Sequence, residues 1–90
     1  MPDARISPDD IARAHDRIAA HVLRTPVITT RELLPYLVEV KLEHLQVTGS
    51  FKARGAFNSL LSLEIPAAGV TATSGGNHGA ALAAAAARLG

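Results

Sequence analysis

The sequence lacks several residue types on which protein sites commonly depend. It contains no cysteine and no tryptophan, and its aromatic residues are one tyrosine and two phenylalanines among 90 residues. Without cysteine, neither a disulfide nor a thiolate metal site can form. The most apolar stretch, residues 79–89, is far shorter than the ~20 residues that span a bilayer. The composition therefore favours a protein with a thin core and no membrane-spanning helix.

No charge of one sign predominates either. Nine Lys+Arg face eight Asp+Glu, for a formal net charge of +1, and the sequence shows no basic cluster of the kind that binds nucleic acid. The first ten residues, MPDARISPDD, are polar and acidic, unlike the basic and then apolar start of a secretory signal. We expect a cytoplasmic protein that binds neither membranes nor nucleic acid.

Helical and extended patterns alternate along the chain. Ser7 and Pro8 begin a predicted helix that continues to Leu23, since serine caps helices and proline is favoured at their first position. A helical turn is predicted for residues 30–34, and the alternation of apolar and charged residues in 38–43 predicts a strand. A helix over 50–63, a turn over 66–69, a short extended run over 70–73 and a helix over 80–89, with Gly90 as its C-cap, complete the prediction.

Strands that alternate with helices are typical of an α/β protein, with a parallel sheet and flanking helices. Two predicted strands are too few for a sheet that is covered on both faces. The sequence therefore predicts the N-terminal part of a larger fold, truncated at residue 90.

Two cations stand at the beginning of the helix over 50–63. Its apolar positions include Ala53, Ala56 and Phe57, and Ser50 or Thr48 is its expected N-cap. Lys52 then lies in the first turn and Arg54 just behind it, where the helix dipole disfavours positive charge. Lys52 is either a surface lysine whose amine reaches water or a reactive one. Burial beside Phe51 would add to the dipole in favouring the neutral amine, which attacks carbonyl groups.

A glycine-rich segment, Ser74-Gly75-Gly76-Asn77-His78-Gly79, precedes the last helix. It is either a flexible turn, with glycines at positive φ and Ser74 or Asn77 as helix cap, or an anion site. In an anion site, backbone N–H groups at a helix N-terminus bind a carboxylate or a phosphate.

Residues 43–56, EHLQVTGSFKARGA, resemble the cofactor-lysine segment of the serine/threonine dehydratases. These are pyridoxal-phosphate (PLP) enzymes of fold type II, with a tryptophan synthase β-like fold. The resemblance implies that Lys52 forms a Schiff base with pyridoxal 5'-phosphate and that Phe51 packs beside the cofactor ring. Arg24-Thr25-Pro26 also resembles the family's N-terminal RTP segment.

The glycine-rich segment resembles the family's second element, a Ser-x-Gly-Asn-His loop downstream of the lysine. The resemblance implies that Asn77 binds the 3′-oxygen of PLP. It also implies that five residues bind the substrate carboxylate: Ser74, Gly75, Gly76, Asn77 and His78. Residues 1–68 would belong to the large cofactor domain, and 69–90 would begin the small substrate-binding domain.

The family's reaction is β-elimination from L-threonine or L-serine, which yields a 2-keto acid and ammonia. Where serine racemase has a second acid/base serine before Gly-Asn-His, this sequence has Gly75, which disfavours racemisation. Serine racemase, a hydroxyaspartate dehydratase and a non-catalytic binding module remain the alternatives. The assembly that the family implies is a homo-oligomer.

Two further departures concern length. The segments before Val38 and before Val70 are shorter than is usual in the family, and the family's glycine loop for the PLP phosphate would lie beyond residue 90. We therefore expect the 90-residue chain to be inactive by itself. No metal site is expected, because His15 and His21 are six residues apart and do not share a helix face.

Overall fold

The computed structural model describes residues 5–73 and 75–90. It contains three helices, α1 (Pro8–Ile18), α2 (Lys52–Ser62) and α3 (Asn77–Leu89), and two strands, β1 (Val27–Thr30) and β2 (Val38–Lys41). Two short 3-10 turns, Glu43–Leu45 and Val47–Gly49, connect β2 to α2.

Helix α1 begins as the sequence predicts and ends earlier. The Ser7 side chain accepts a hydrogen bond from the Asp10 amide, and the Asp10 carboxylate accepts one from the Ser7 amide, which is a capping box. The prediction that the helix continues to Leu23 is wrong, because the helix ends at Ile18 and a tight turn follows. The amides of His21 and Val22 both donate to the Ile18 carbonyl, and Leu23 bonds instead to the Gln46 side chain.

The strands form an antiparallel pair in which Val27 lies opposite Lys41 and Thr30 opposite Val38. The predicted strand over 38–43 is confirmed for its first four residues, with Val38 and Val40 half-buried and Glu39 exposed. Strand β1 was not predicted, since its four residues carry no alternation. The predicted helical turn over 30–34 is wrong, because these residues form the end of β1 and a series of bends.

The extended run over 70–73 pairs with no strand in the part of the chain that the structure describes. The described residues therefore hold one antiparallel pair and none of the parallel pairing that the alternation of elements predicts. The turn over 66–69 is confirmed: the Gly69 amide donates to the Pro66 carbonyl at 2.9 Å, and Gly69 has a φ of 94°.

The core lies between α2 and α3, and α1 packs against α2. Its buried apolar residues are Ile18, Val47, Ala53, Ala56, Phe57, Ala81 and Ala85. Phe57 is the largest side chain that is fully buried, so the core is as thin as the composition predicts. The alanines let the two helices approach closely. This packing places the beginning of α3 beside the first two turns of α2.

Candidate active site

Lys52 is the first residue of α2 and lies on the surface. Its Nζ lies over the Phe51 ring, 5.4 Å from the ring centroid, and this side-chain amine makes no hydrogen bond or ion pair with the described residues. The expected burial beside Phe51 is wrong, because Phe51 itself is 61% exposed. The amine of Lys41, in contrast, donates to the Thr25 carbonyl at 3.2 Å. Of the two lysines, Lys52 is therefore the one with an uncommitted amine.

The chain enters α2 through a left-handed turn. Thr48 has φ 62° and ψ 9°, and Gly49 has φ 82°. The Gly49 amide closes this turn by donating to the Gln46 carbonyl at 2.8 Å. A positive φ is uncommon and costly for a β-branched residue, and such strain is typical of functional sites. Ser50 then accepts a hydrogen bond from the Lys52 amide at 3.3 Å, although the N-cap position itself is Phe51.

The second cation of this helix end has a different role. Arg54 forms an ion pair with Glu43, whose carboxylate also accepts a hydrogen bond from the Thr25 hydroxyl. The hydrogen bond from Arg54 outweighs partial burial and lowers the pKa of Glu43 to about 2. Arg54 is therefore bound to a carboxylate, and only Lys52 of the two cations is free to react.

Gln46 binds the N-terminal segment to this region. Its Oε1 accepts from the Leu23 amide at 2.8 Å and from the Val47 amide at 2.9 Å, and its Nε2 donates to the Leu23 carbonyl at 2.7 Å. Gln46 and Thr25 are the buried polar residues of the described chain. Sequence reasoning singled out the motifs that contain Thr25, Glu43 and Gln46 but assigned them no role. Polar residues within apolar surroundings were the available signal.

The glycine-rich segment leads directly into α3. Gly76 is the N-cap, and no side chain of the described residues caps the helix. Ser74 lies outside the described residues. The flexible-turn alternative offered Asn77 as a cap, but Asn77 is already the first residue of the helix. That alternative also expected glycines at positive φ, whereas Gly76 has a φ of −100°.

One cavity brings the two motifs together. It has a volume of about 270 Å³, just below the ~300–1,000 Å³ of small-molecule sites. Its lining residues are Phe51, Lys52, Gly55, Ala56, Ser59 and His78. The structure therefore places Lys52, Phe51 and His78 at a common site, while Gly75, Gly76 and Asn77 do not line it. Ser59 was not predicted; it lies seven residues after Lys52, on the same face of α2.

A larger cavity of about 530 Å³ lies against α1, and neither Lys52 nor the glycine-rich segment lines it. Two of its three lysine and arginine side chains, Lys41 and Arg54, are bonded to Thr25 and Glu43; the third is Arg24. Among the described residues, no group of histidine and acidic side chains could hold a metal ion. No helix of that part of the chain is long and apolar enough to cross a membrane.

A family model described as "Pyridoxal-phosphate dependent enzyme" matches residues 18–90. The chain therefore belongs to this family of PLP-dependent enzymes, as its two motifs predict. The predicted cofactor, pyridoxal 5'-phosphate, and the predicted fold class, fold type II, are confirmed by this match and by solved structures.

Individual relatives agree with this assignment. The chain is 50% identical to a protein of Sinorhizobium fredii (strain NBRC 101917 / NGR234) named "Putative threonine dehydratase", in a match that covers 97% of this chain and 28% of that protein. It is 45% identical to a serine racemase of Dictyostelium discoideum, over 90% of this chain and 26% of that one. The crystal structure of a threonine deaminase from T.th. matches with a TM-score of 0.82 and 46% identity, over 93% of this chain and 31% of that one. The chain thus spans less than a third of the length of these relatives.

The residues present fit a cofactor that carries an aldehyde and a ring. The uncommitted Lys52 amine lies at a cavity whose lining includes Phe51, Ala56 and Gly55, and a Cβ at Gly55 would meet nothing within 4 Å. His78 in the first turn of α3 lines the same cavity, and the N-terminus of a helix favours an anionic group.

Proposed function

We propose that this chain supplies the cofactor lysine and the carboxylate-binding loop of a PLP-dependent dehydratase that acts on L-threonine and L-serine. The observation that supports it most is the single cavity lined by Lys52 from one motif and His78 from the other. A side chain from each motif at the same cavity supports a common role for the two motifs. The products would be a 2-keto acid and ammonia.

Each part of the site would have a separate task. When bound, PLP supplies an electron sink for the bonds at the substrate Cα. Lys52 would hold the cofactor covalently through Nζ and, as a free amine, would accept the proton from the substrate Cα. The backbone N–H groups of Gly75–His78, with Ser74, would bind the substrate carboxylate and so orient the Cα–H bond. Asn77 would hold the cofactor's 3′-oxygen.

Gly75 favours elimination over racemisation, because it has no side chain that could deliver a proton to the opposite face of Cα. A Cβ added there would meet nothing within 4 Å, so Gly75→Ser fits the backbone. Comparison of Gly75→Ser with the wild type would show whether a side chain at this position increases racemisation relative to elimination. A related dehydratase with hydroxyaspartate as substrate, or a binding module without catalysis, would be distinguished by the same assays.

The cofactor proposal is tested on the 90-residue chain with PLP, borohydride reduction and mass-spectrometric mapping of the adduct. We expect a saturable adduct on Lys52 and little on Lys41, whose amine is bonded to Thr25. The chain has two lysines, so Lys41 serves as the internal control and Lys52→Ala as the matched variant. Equal or negligible labelling of both lysines would contradict the assignment of Lys52.

The reaction is tested in a chimera in which this chain replaces the matching part of the T.th. threonine deaminase. We expect PLP-dependent ammonia release from L-threonine and L-serine, which Lys52→Ala abolishes. Release from hydroxyaspartate alone, or conversion of L-serine to D-serine without ammonia, would favour the corresponding alternative. A chimera that takes up PLP and releases no ammonia from any of these substrates would favour the binding module. The 90-residue chain alone is expected to release none.

A further inference from the structure

The left-handed turn at Thr48 and Gly49 is held from both flanks. On the upstream flank, the Gln46 side chain bonds to the amide and the carbonyl of Leu23. On the downstream flank, Arg54 bonds to Glu43 and reaches the Leu23 carbonyl at 3.5 Å. The turn and the Lys52 that follows it therefore lie between two anchors, and both anchors reach the same N-terminal segment.

Glu43 connects these anchors. Its Oε1 accepts from Arg54 Nε. Its Oε2 accepts hydrogen bonds from Arg54 Nη2 at 3.3 Å, from the Thr25 hydroxyl, and from Gln46 Nε2 at 3.5 Å. The Glu43 side chain is only 16% exposed, so these bonds are shielded from water. One carboxylate thus contacts both flanks of the turn and the segment that precedes β1.

This arrangement explains how a strained turn persists. A threonine with φ 62° keeps that conformation only where its surroundings over-determine it. The bond from the Gly49 amide to Gln46 is one constraint, but it is local. The contacts of Glu43 fix the residues on either side and so limit the directions in which α2 can leave the turn.

We propose that Glu43 is a positioning residue, which sets the direction of the Lys52 side chain by holding both flanks of the Thr48–Gly49 turn. This inference rests on the proposed function of Lys52 as the cofactor lysine. It goes further, because it assigns a role to a residue that neither lines the cavity nor touches the reacting atoms. Loosening the turn should slow cofactor attachment at Lys52 while the helices remain packed.

The first experiment measures amide hydrogen exchange in the full 90-residue chain and in Glu43→Gln, without PLP. Loss of the charge-assisted bonds should speed exchange of the Gly49 amide about tenfold or more. The Ala85 amide, inside α3, should exchange at the wild-type rate. The matched control is Glu39→Gln, which removes a carboxylate from the exposed face of β2 and should change neither rate.

A different pattern of exchange rates is expected if the Glu43–Arg54 ion pair stabilises the fold as a whole and does not hold the turn. If Glu43→Gln speeds Gly49 and Ala85 alike, or leaves Gly49 unchanged, the positioning role is overturned. Should Glu43→Gln fail to fold, Thr25→Val is measured instead, since it keeps the ion pair and removes one bond to the carboxylate. Faster exchange at Gly49 alone would support the proposal, and unchanged Gly49 exchange would overturn it.

The second experiment separates this inference from the proposed function. PLP is added to the wild type and to Glu43→Gln, and the rate of borohydride-trapped adduct on Lys52 is compared with that on Lys41. A severalfold slower rate at Lys52 in the variant supports the proposal, and equal rates overturn it. If the wild type takes no PLP at Lys52 while Gly49 exchange still depends on Glu43, the proposed function fails and the role of Glu43 in holding the turn stands.

Discussion

At the scale of single residues, the Glu43 carboxylate makes the free energy of unfolding depend on pH in the acidic range. Its pKa is lowered from the ordinary 4.5 to about 2, chiefly by the Arg54 hydrogen bond, and the charged groups that face it are Arg54 and Lys41. A carboxylate whose pKa is lower in the folded state stabilises the fold fully above its unfolded pKa. This contribution is therefore present above pH 4.5 and is lost as the pH falls towards 2.

We expect the free energy of unfolding to fall across this window by on the order of 2 kcal/mol from Glu43 alone. Urea titrations monitored by circular dichroism at a series of pH values would measure it. Glu43→Gln should flatten the profile by that amount, while Glu39→Gln should leave it as in the wild type. A Glu43→Gln profile as steep as the wild type would show that the ion pair contributes nothing to acid sensitivity.

The chemistry-bearing residues were more predictable than the residues that hold them. Lys52 and the glycine-rich segment stand in motifs with several fixed residue types, so the sequence indicates them directly. The shared cavity of Lys52 and His78 follows from the resemblance and from the packing of the two helices. The contacts of Glu43 could not be predicted, because they join residues 25, 43 and 54, which only the tertiary structure brings together.

At the scale of elements, Phe57 is the largest side chain through which α2 packs into the core. Phe57 is fully buried and stacks on His21, with ring centroids 5.3 Å apart. Phe57→Ala should lower the free energy of unfolding by roughly 3–5 kcal/mol, and Phe57→Leu by less, as urea unfolding would measure. Phe51→Ala is the matched control, since Phe51 is 61% exposed and its loss should change stability by only about 0.5 kcal/mol. Equal losses at both positions would contradict this account of the core.

The predictions of element boundaries were wrong where tertiary hydrogen bonds and packing compete with local conformational preference. The pattern of α1 favours a helix to Leu23, yet Leu23 bonds to Gln46 and His21 packs on Phe57, so the helix ends at Ile18. Strand β1 has two apolar and two threonine residues and is a strand because β2 pairs with it. The caps are local, and both the capping box at Ser7 and the C-cap at Gly90 were predictable from sequence alone.

At the scale of the whole molecule, much apolar surface stays in contact with water. The radius of gyration is 15.6 Å, whereas about 12 Å is typical of a compact domain of this length. Large exposed side chains are concentrated between β1 and β2, where Leu33 is 65%, Tyr36 60% and Leu37 53% exposed. Exposed apolar side chains that are grouped along the chain in this way favour association.

We therefore expect the chain to associate as its concentration rises, with the segment between the strands as the main contact. Size-exclusion chromatography with light scattering would measure the mass at each concentration. Leu33→Glu with Leu37→Glu should shift the chain towards the monomer, because four buried charges would oppose a two-fold contact. The matched control is Leu63→Glu with Ile65→Glu, which adds the same charge to exposed apolar positions after α2 and should leave association largely intact. A monomer at every concentration, or equal effects of the two double variants, would show that the surface between the strands does not mediate association.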